Sequence, residues 1–187
     1  MNLTETFNKY SSDKGSIFEA HQYARDYEKL INPNIENLLE IGIGADWSRQ
    51  GWKDPLGNCG SIRGWLEWLP NTTIYGFDIK DCAPDLKENS KFKMLVGDQS
   101  KIEDLDKLKD LIPECDVIID DGSHISTHQI LTFKMLWDKL KIGGLYFIED
   151  IHCRWGQSPH TLETLKNHVN FTQFFGRDNH GMVFKKL

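Results

Sequence analysis

Short apolar runs alternate along this chain with segments of helical periodicity, and this alternation restricts the fold more than any other feature. It is typical of parallel strands that are joined by crossover helices. Strands are predicted over Asn37–Ile43, Thr73–Ile79, Phe92–Val96, Asp116–Asp121, Gly144–Glu149, Phe171–Phe175 and Gly181–Lys186. Helices are predicted over Phe18–Ile31, Ser61–Leu69, Ile102–Leu111, His124–Leu140 and Thr161–Val169.

The last two predicted strands are separated by the turn-prone residues 176–180, which favours an antiparallel hairpin. The expected fold class is therefore α/β. We expect a Rossmann-like, doubly wound, seven-stranded sheet that is mostly parallel and finishes in a C-terminal antiparallel hairpin.

Length and charge restrict the kind of protein further. A length of 187 residues fits one domain. We expect residues 1–187 to form it, with 1–35 as an N-terminal helical cap. The formal net charge of -6 argues against nucleic acid as a partner, because a phosphate backbone calls for a basic face.

No signal segment opens the chain, and no apolar run approaches the roughly 20 residues that span a bilayer. The protein is thus expected to be cytoplasmic, without a membrane partner. Its four cysteines lack zinc-site spacing and are expected to be reduced and mostly structural.

Two predicted strands end in acidic residues. Val117–Ile119 is followed by Asp120-Asp121-Gly122-Ser123-His124, and Leu145–Ile148 is followed by Glu149-Asp150. Ligands of open α/β sheets gather at the carboxyl ends of strands. Acidic strand ends that lie side by side would suit a hard cation such as Mg²⁺.

Other strand ends carry groups that suit a nucleoside. The first predicted strand runs into Glu40-Ile41-Gly42-Ile43-Gly44, where glycines allow a ligand to approach the backbone or merely form a tight turn. Asp78 ends the second strand and could accept ribose hydroxyls. Asp98 and Gln99 follow the third strand and could read adenine or cap a helix. Together the three strand ends favour a nucleoside pocket.

The motifs at these strand ends carry a family resemblance. They are LEIGIG at 39–44, GSIRGW at 60–65, IYGFD at 74–78, GDQS at 97–100, IIDDGSH at 118–124 and GGLYFIED at 143–150. The chain resembles the class I S-adenosylmethionine-dependent methyltransferases. More narrowly, it resembles the metal-dependent sugar O-methyltransferases of macrolide biosynthesis, the mycinamicin and demethylmacrocin type. Ser12-Asp13-Lys14 and the segment 21–27 also match that family.

The resemblance implies roles for particular residues. Asp121, Glu149 and Asp150 would bind Mg²⁺, and His124 would be the general base. The residues implied at S-adenosylmethionine are Glu40, Gly42, Gly44 and Ser61 around the methionine part, Asp78 at the ribose, and Asp98 with Gln99 beside the adenine. Asp120, Tyr23 and Tyr27 are further cofactor candidates, although Asp120 could instead fix its turn and the tyrosines could only pack.

Several alternatives remain open at this stage. His128 lies one helical turn after His124 and is its rival, and His152 follows the acidic pair. The long irregular segment Ala45–Gly60 could contact a ligand through Trp47 and Trp52, whereas Trp65 and Trp68 fit a helix core. The segment 151–160 is a candidate acceptor loop.

The predicted function is Mg²⁺-assisted O-methyl transfer from S-adenosylmethionine to a hydroxyl of a sugar or a glycosylated small molecule. A catechol-like diol is an alternative acceptor, because it could chelate the metal in the same way. A protein that binds S-adenosylmethionine without turnover is a rival from another class. A nicotinamide-dependent oxidoreductase is disfavoured, because the pattern G-x-G-x-x-G does not continue after Gly44. A homo-oligomer is compatible with the sequence.

Overall fold

The computed structural model of this chain describes residues 1–17, 22–44, 59–151 and 160–187. Within these ranges, no helix is both long enough and apolar enough to cross a membrane.

The described residues form helices and strands in alternation. The α-helices are α1 Leu3–Lys9, α2 Ala24–Leu30, α3 Gly60–Trp68, α4 Ile102–Leu111, α5 Ser126–Leu136 and α6 His160–Leu165. The strands are β1 Asn37–Ile41, β2 Thr73–Asp78, β3 Phe92–Val96, β4 Cys115–Asp120, β5 Leu140–Ile148, β6 Phe171–Phe175 and β7 Gly181–Lys185. Short 3-10 helices cover Pro84–Leu86, Trp137–Lys139 and Arg177–Asn179.

The strands form a seven-stranded sheet in the order β3-β2-β1-β4-β5-β7-β6. Strands β1 to β5 pair in parallel, whereas β7 pairs antiparallel with both β5 and β6. The predicted fold class, a mostly parallel doubly wound sheet with an antiparallel C-terminal pair, is confirmed. The order reverses between β1 and β4, which is the topological switch point where such sheets bind ligands.

The helices cover both faces of the sheet, because successive strand residues point to opposite faces. Leu38, Val117 and Phe147 pack on one face with residues of α1, α2 and α3. Leu39, Ile118 and Tyr146 pack on the other face with residues of α4, α5 and α6. This burial on both faces explains the continuous apolar runs in β1, β4 and β5.

At the N-terminus, the structure differs from the sequence prediction. Helix α1 was not predicted, although Asn2 and Glu5 form a capping box at its start. The predicted helix from Phe18 begins instead at Ala24 in the described part, and residues 18–21 lie outside it.

Several predicted boundaries were also wrong. The strand β1 ends at Ile41 because the next residue, Gly42, has a φ of 78°. Helix α5 starts at Ser126, not His124, whose φ of 57° is incompatible with an α-helix. Strand β5 begins at Leu140 instead of the predicted Gly144. Helix α6 ends at Leu165 instead of the predicted Val169.

The hydroxyl of Tyr146 gives a stability prediction. Tyr146 is fully buried, and its hydroxyl has no hydrogen-bond partner among the described residues. An unsatisfied buried hydroxyl costs about 1 kcal/mol or more. We therefore expect Tyr146→Phe to raise the free energy of unfolding by about 1 kcal/mol in urea titrations. The matched variant Tyr27→Phe, which removes a hydroxyl that donates to Glu149, should lower it. A clear loss of stability in Tyr146→Phe would contradict this account.

Candidate active site

The carboxyl ends of β1 and β4 meet closely at the switch point. The backbone N–H of Asp121 donates to the carbonyl oxygen of Ile41 at 2.9 Å. A Cβ added at Gly42 would overlap the backbone of Asp121 and Gly122. The glycine is therefore required by this close approach of two strand ends, and by its positive φ, before any ligand is considered.

Three side chains at these strand ends converge on one point. Ligand atoms of Asp121, His124 and Asp150 all lie within 4.8 Å of one another, and the three residues are half-buried. Asp150 follows the end of β5, whereas Asp121 and His124 follow β4, so the pairing of β4 with β5 brings them together. This is a group of one imidazole and two carboxylates that could hold a metal ion.

Lys14 lies beside this group and is 1% exposed. Its ammonium donates to Asp121. It also donates to Oε1 and Oε2 of Glu149, and each of these two distances is 2.9 Å. It is also 3.6 Å from Oε1 of Glu40. Burial opposes the charge on Lys14, but the carboxylates outweigh it and raise the pKa of the ammonium well above its usual value. Lys14 is therefore a permanent buried cation.

The carboxyl groups of Asp121 and Glu149 are harder to ionise than in water, because Glu149 is buried and Asp121 is half-buried. Burial raises the pKa of Asp121 to about 6, although Lys14 and His124 oppose the shift. Burial, followed by the charge of Asp121, holds the pKa of Glu149 well above its ordinary value, again against the effect of Lys14. Burial therefore favours the neutral form of both carboxyl groups, whereas the Lys14 ammonium favours their ionised form.

Two buried tyrosines from the N-terminal segment contact the acidic pair after β5. The Tyr23 hydroxyl donates to Oδ1 of Asp150 at 2.6 Å, and the Tyr27 hydroxyl donates to Oε1 of Glu149. Phe175 packs against both rings. The tyrosines, which were candidates for cofactor contact, thus also fix the orientation of the two carboxylates.

His124 and His128 occupy different surroundings. Nε2 of His124 is 3.6 Å from Oδ2 of Asp150, and its buried Nδ1 has no hydrogen-bond partner in the described part of the chain. Nδ1 of His128 is 2.9 Å from the Ser123 hydroxyl, across the turn. The geometry joins His124, and not its rival, to the acidic cluster.

Glu40 lies at the end of β1 and is fully buried. Its Oε2 accepts a hydrogen bond from Nε1 of Trp65 at 2.8 Å, whereas Oε1 has no hydrogen-bond partner among the described residues. Burial raises the pKa of Glu40 to about 7, although Lys14 and hydrogen bonds from Ser61 and Trp65 oppose the shift. Ser61 therefore lies next to Glu40. Both residues are candidates for contact with the methionine part of S-adenosylmethionine.

Asp78 is held at the same edge of the sheet. Its Oδ2 accepts a hydrogen bond at 2.9 Å from the backbone N–H of Ile43, in the turn that contains Gly42 and Gly44. The carboxylate at the end of β2 is thereby fixed beside the glycine turn that follows β1.

The residues after β3 make contacts of their own. Oδ1 of Asp98 accepts from the backbone N–H and the hydroxyl of Ser100, which lower the pKa of Asp98. The buried Gln99 amide donates to Asp120 at 3.1 Å and to Thr132 at 3.2 Å. Gln99 thus ties the end of β3 to the end of β4 and to α5.

Lys14 is the main site residue that the sequence reasoning missed. Ser12-Asp13-Lys14 was noted as a matching segment, but no role was predicted for Lys14, which lies 107 residues before Asp121 in the chain. Another contact that the sequence spacing hides joins Cys59 and Cys82, whose sulfur atoms are 3.3 Å apart. Trp47, Trp52, His152 and most of the candidate acceptor loop, residues 152–159, lie outside the described residues.

Comparisons with known proteins agree with this architecture. A rhamnosyl tetracenomycin-C 2'-O-methyltransferase from Streptomyces olivaceus is 36% identical over 150 residues, which are 79% of this chain and 37% of that protein. Mycinamicin VI 2''-O-methyltransferase from Micromonospora griseorubida is 34% identical over 152 residues, 80% of this chain and 36% of that protein. No family model matches the chain.

Among solved structures, the MycE methyltransferase of the mycinamycin pathway, in complex with Mg and SAH, superposes with a TM-score of 0.79 and 26% identity. The match covers 100% of this chain and 54% of that one. The chain belongs to the class I S-adenosylmethionine-dependent methyltransferases. Within them it resembles the macrolide and tetracenomycin sugar O-methyltransferases.

The chain spans little more than a third of the length of the curated relatives that it matches. The structural match covers all of this chain, including the sheet edge with the acidic cluster and the glycine turn.

The raised pKa of Glu40 makes the stability of the folded chain pH-dependent. Between the ordinary pKa of a glutamate and about pH 7, the unfolded chain has lost the Glu40 proton while the folded chain keeps it. The free energy of unfolding therefore falls as pH rises through this window. Asp120 and Asp121, whose pKa values burial raises to about 6, act in the same direction.

We expect Glu40→Gln, which keeps an acceptor for Trp65, to remove part of this fall, on the order of 2 kcal/mol. Urea titrations across the window, with a chelator present, measure it. Glu88→Gln at an exposed position is the matched control and should retain the full fall. An unchanged pH dependence in Glu40→Gln would show that Glu40 titrates normally.

Proposed function

We propose that this chain carries the catalytic domain of an S-adenosylmethionine-dependent O-methyltransferase, which methylates a hydroxyl of a sugar or a glycosylated small molecule with the help of Mg²⁺. The observation that carries the proposal is the convergence of Asp121, His124 and Asp150 within 4.8 Å, beside the glycine turn at the switch point. The similarity to sugar O-methyltransferases supports the same reaction.

The donor set fits Mg²⁺. Carboxylate oxygens are the ligands that Mg²⁺ prefers, and Asp121 and Asp150 of the converging group would supply them. Glu149 is the third proposed ligand; it lies outside that group, and its oxygens accept hydrogen bonds from Lys14 and Tyr27. A divalent cation would favour the ionised form of these carboxyl groups, against the burial that raises the pKa values of Asp121 and Glu149. When bound there, Mg²⁺ would make a coordinated hydroxyl more acidic and fix its position.

The chain's own residues would then orient the acceptor and take up its proton. Tyr23 holds Asp150, and Tyr27 holds Glu149, so the acidic pair is ordered by buried hydroxyls. His124 has a nitrogen without a hydrogen-bond partner among the described residues. A neutral imidazole can take a proton on a ring nitrogen, and Nε2 of His124 lies 3.6 Å from Oδ2 of Asp150, so His124 suits the role of proton acceptor for the acceptor hydroxyl.

The cofactor would lie across the ends of β1, β2 and β3. Gly42 and Gly44 leave the backbone open, and Glu40 and Ser61 would face the methionine part. Asp78, fixed by Ile43, would accept hydrogen bonds from the ribose hydroxyls. Asp98 and Gln99 would border the adenine. Because the Gln99 amide is already bonded to Asp120 and Thr132, we propose that Gln99 shapes this part of the pocket more than it reads the base.

The acceptor is proposed to be small and glycosylated. The named relatives act on a rhamnosyl tetracenomycin and on mycinamicin VI, and both names place the reaction on a sugar oxygen. A vicinal diol of a sugar could chelate the metal. The net charge of -6 gives no support to a nucleic-acid acceptor.

The deciding experiment combines cofactor binding with a turnover assay. Calorimetric titration with S-adenosylmethionine, with Mg²⁺ or with a chelator, measures the cofactor pocket. Release of S-adenosylhomocysteine is then followed with rhamnosides, other glycosides and catechol as acceptors. Turnover of a glycoside supports the proposal, and turnover of catechol alone would reassign the acceptor. Binding without turnover of any acceptor would favour a non-catalytic S-adenosylmethionine-binding protein.

Replacement of the proposed base tests its role. We expect His124→Gln to lower the transfer rate by about 100-fold or more, because the acceptor proton loses its acceptor. Affinity for S-adenosylmethionine should stay unchanged, since His124 lies on the acidic side of the site. His128→Gln is the matched control and should keep most of the activity. If His128→Gln lost the activity and His124→Gln kept it, the roles would have to be exchanged.

Replacement of the proposed ribose ligand tests the cofactor pocket. We expect Asp78→Ala to weaken S-adenosylmethionine binding by about tenfold or more, a loss of about 1.4 kcal/mol. Calorimetry measures the dissociation constant, and circular dichroism checks the fold. The exposed Asp85→Ala, which removes the carboxylate that pairs with Arg63, is the control and should bind normally. Equal affinity in Asp78→Ala and the wild type would remove Asp78 from the pocket.

A further inference from the structure

The ammonium of Lys14 contacts the same carboxylates that are proposed to hold the metal. It donates to Asp121 and, at 2.9 Å, to each oxygen of Glu149. Asp121 is also a member of the group whose ligand atoms lie within 4.8 Å of one another. Lys14 and a divalent cation at that group would therefore draw on shared oxygen atoms.

The ion pair between Lys14 and Glu149 is buried, so its loss would leave unpaired charges away from water. The Lys14 side chain is 1% exposed, and so is that of Glu149, so water does not replace a lost ion pair. Oε1 of Glu149 also accepts from the buried Tyr27 hydroxyl. A cation that enters must therefore either leave Lys14 in place and tolerate its repulsion, or move it away from Asp121.

A second place for the ammonium exists on the cofactor side. Oε1 of Glu40 is 3.6 Å from Nζ of Lys14, is fully buried, and has no hydrogen-bond partner among the described residues. A small rotation of the long lysine side chain would bring the two into hydrogen-bond contact. Glu40 could thus accept a hydrogen bond from the Lys14 ammonium when Asp121 binds a metal ion.

We propose that Lys14 is a positioning residue of the metal site, which orders Asp121 and Glu149 and competes with the divalent cation for them, with Glu40 as its alternative partner. The inference rests on the proposed metal-assisted function. It assigns a specific task to a residue outside the proposed ligand set: Lys14 lowers the affinity of the site for the metal and keeps its carboxylates in place.

The test is the affinity for Mn²⁺, a paramagnetic substitute for Mg²⁺, measured by electron paramagnetic resonance on the folded protein at mildly alkaline pH. We expect Lys14→Met to bind Mn²⁺ about tenfold more tightly than the wild type, because a repelling charge and a competitor are removed. A role in packing alone predicts the opposite, since a disordered site binds metal more weakly. Unchanged or weaker binding in the folded variant would overturn the proposal.

Two further variants are measured, one as a second replacement of Lys14 and one as a control for net charge. Because removal of one partner of a buried ion pair can prevent folding, Lys14→Gln is measured as well; it keeps a donor but not the charge. It should also bind Mn²⁺ more tightly. Lys91→Gln removes an exposed charge from the chain and should leave the affinity unchanged. If Lys91→Gln tightened binding equally, the effect would belong to net charge and the proposal would fail.

The alternative partner is tested by a double-mutant cycle. We expect Glu40→Gln to weaken Mn²⁺ binding about threefold in the wild-type background, because the displaced ammonium loses its second partner. In the Lys14→Met background the same change should have little effect. An equal effect in both backgrounds would show that Glu40 acts by its charge alone, and would overturn its place in the proposal.

Failure of this inference is distinguishable from failure of the proposed function. If the wild type binds no Mn²⁺, the metal site itself is wrong, and the role of Lys14 falls with it. If the wild type binds Mn²⁺ but Lys14→Met does not bind it more tightly, the metal site stands and only the competition by Lys14 is refuted.

Discussion

One buried ammonium, that of Lys14, pairs with carboxylates from three strand ends at the carboxyl edge of this sheet. Lys14 joins the N-terminal segment to the ends of β1, β4 and β5 through Glu40, Asp121 and Glu149. A buried charge is costly unless it is paired, so neither the lysine nor its carboxylates could occupy this place alone. The packing of the N-terminal segment and the geometry of the acidic cluster therefore depend on each other through these ion pairs. The hydroxyls of Tyr23 and Tyr27 add hydrogen bonds to Asp150 and Glu149.

Much of the fold could be predicted from the sequence, because its signals are local or periodic. The apolar runs of β1, β4 and β5 are strands buried on both faces, and residues 176–180 separate the antiparallel pair as expected. The misplaced boundaries depend on single backbone angles. Gly42 adopts a positive φ directly after β1, and His124 adopts one between β4 and α5, where a helix start was predicted. A positive φ is uncommon for a residue other than glycine, so the residue type of His124 did not predict it.

The candidate site was predictable as far as it lies on strand ends. Asp121, His124 and Asp150 meet because β4 and β5 are neighbours. The sequence placed both acidic runs at strand ends, and the metal site was predicted on the condition that these strands lie side by side. Lys14 reaches the site from a segment more than 100 residues away in the chain, and no local pattern predicts such a contact. Gln99 is similar: its sequence position suggests a ligand, but its amide is engaged by Asp120 and Thr132, which only the structure reveals.

The sheet order also has a consequence for the sequence of folding events. β7 is the last strand of the sheet in chain order, yet it lies inside the sheet, between β5 and β6. Until β7 has been synthesised, β5 has an open edge, and the backbone N–H of Ile151, just after the acidic pair, lacks its bond to His180. The acidic strand end therefore gains its last backbone partner only when the C-terminal pair of strands is in place. Phe175 and Val183 of that pair also pack on the face of the sheet that carries α1, α2 and α3, so the last strands of the sheet complete the burial of the N-terminal helices as well.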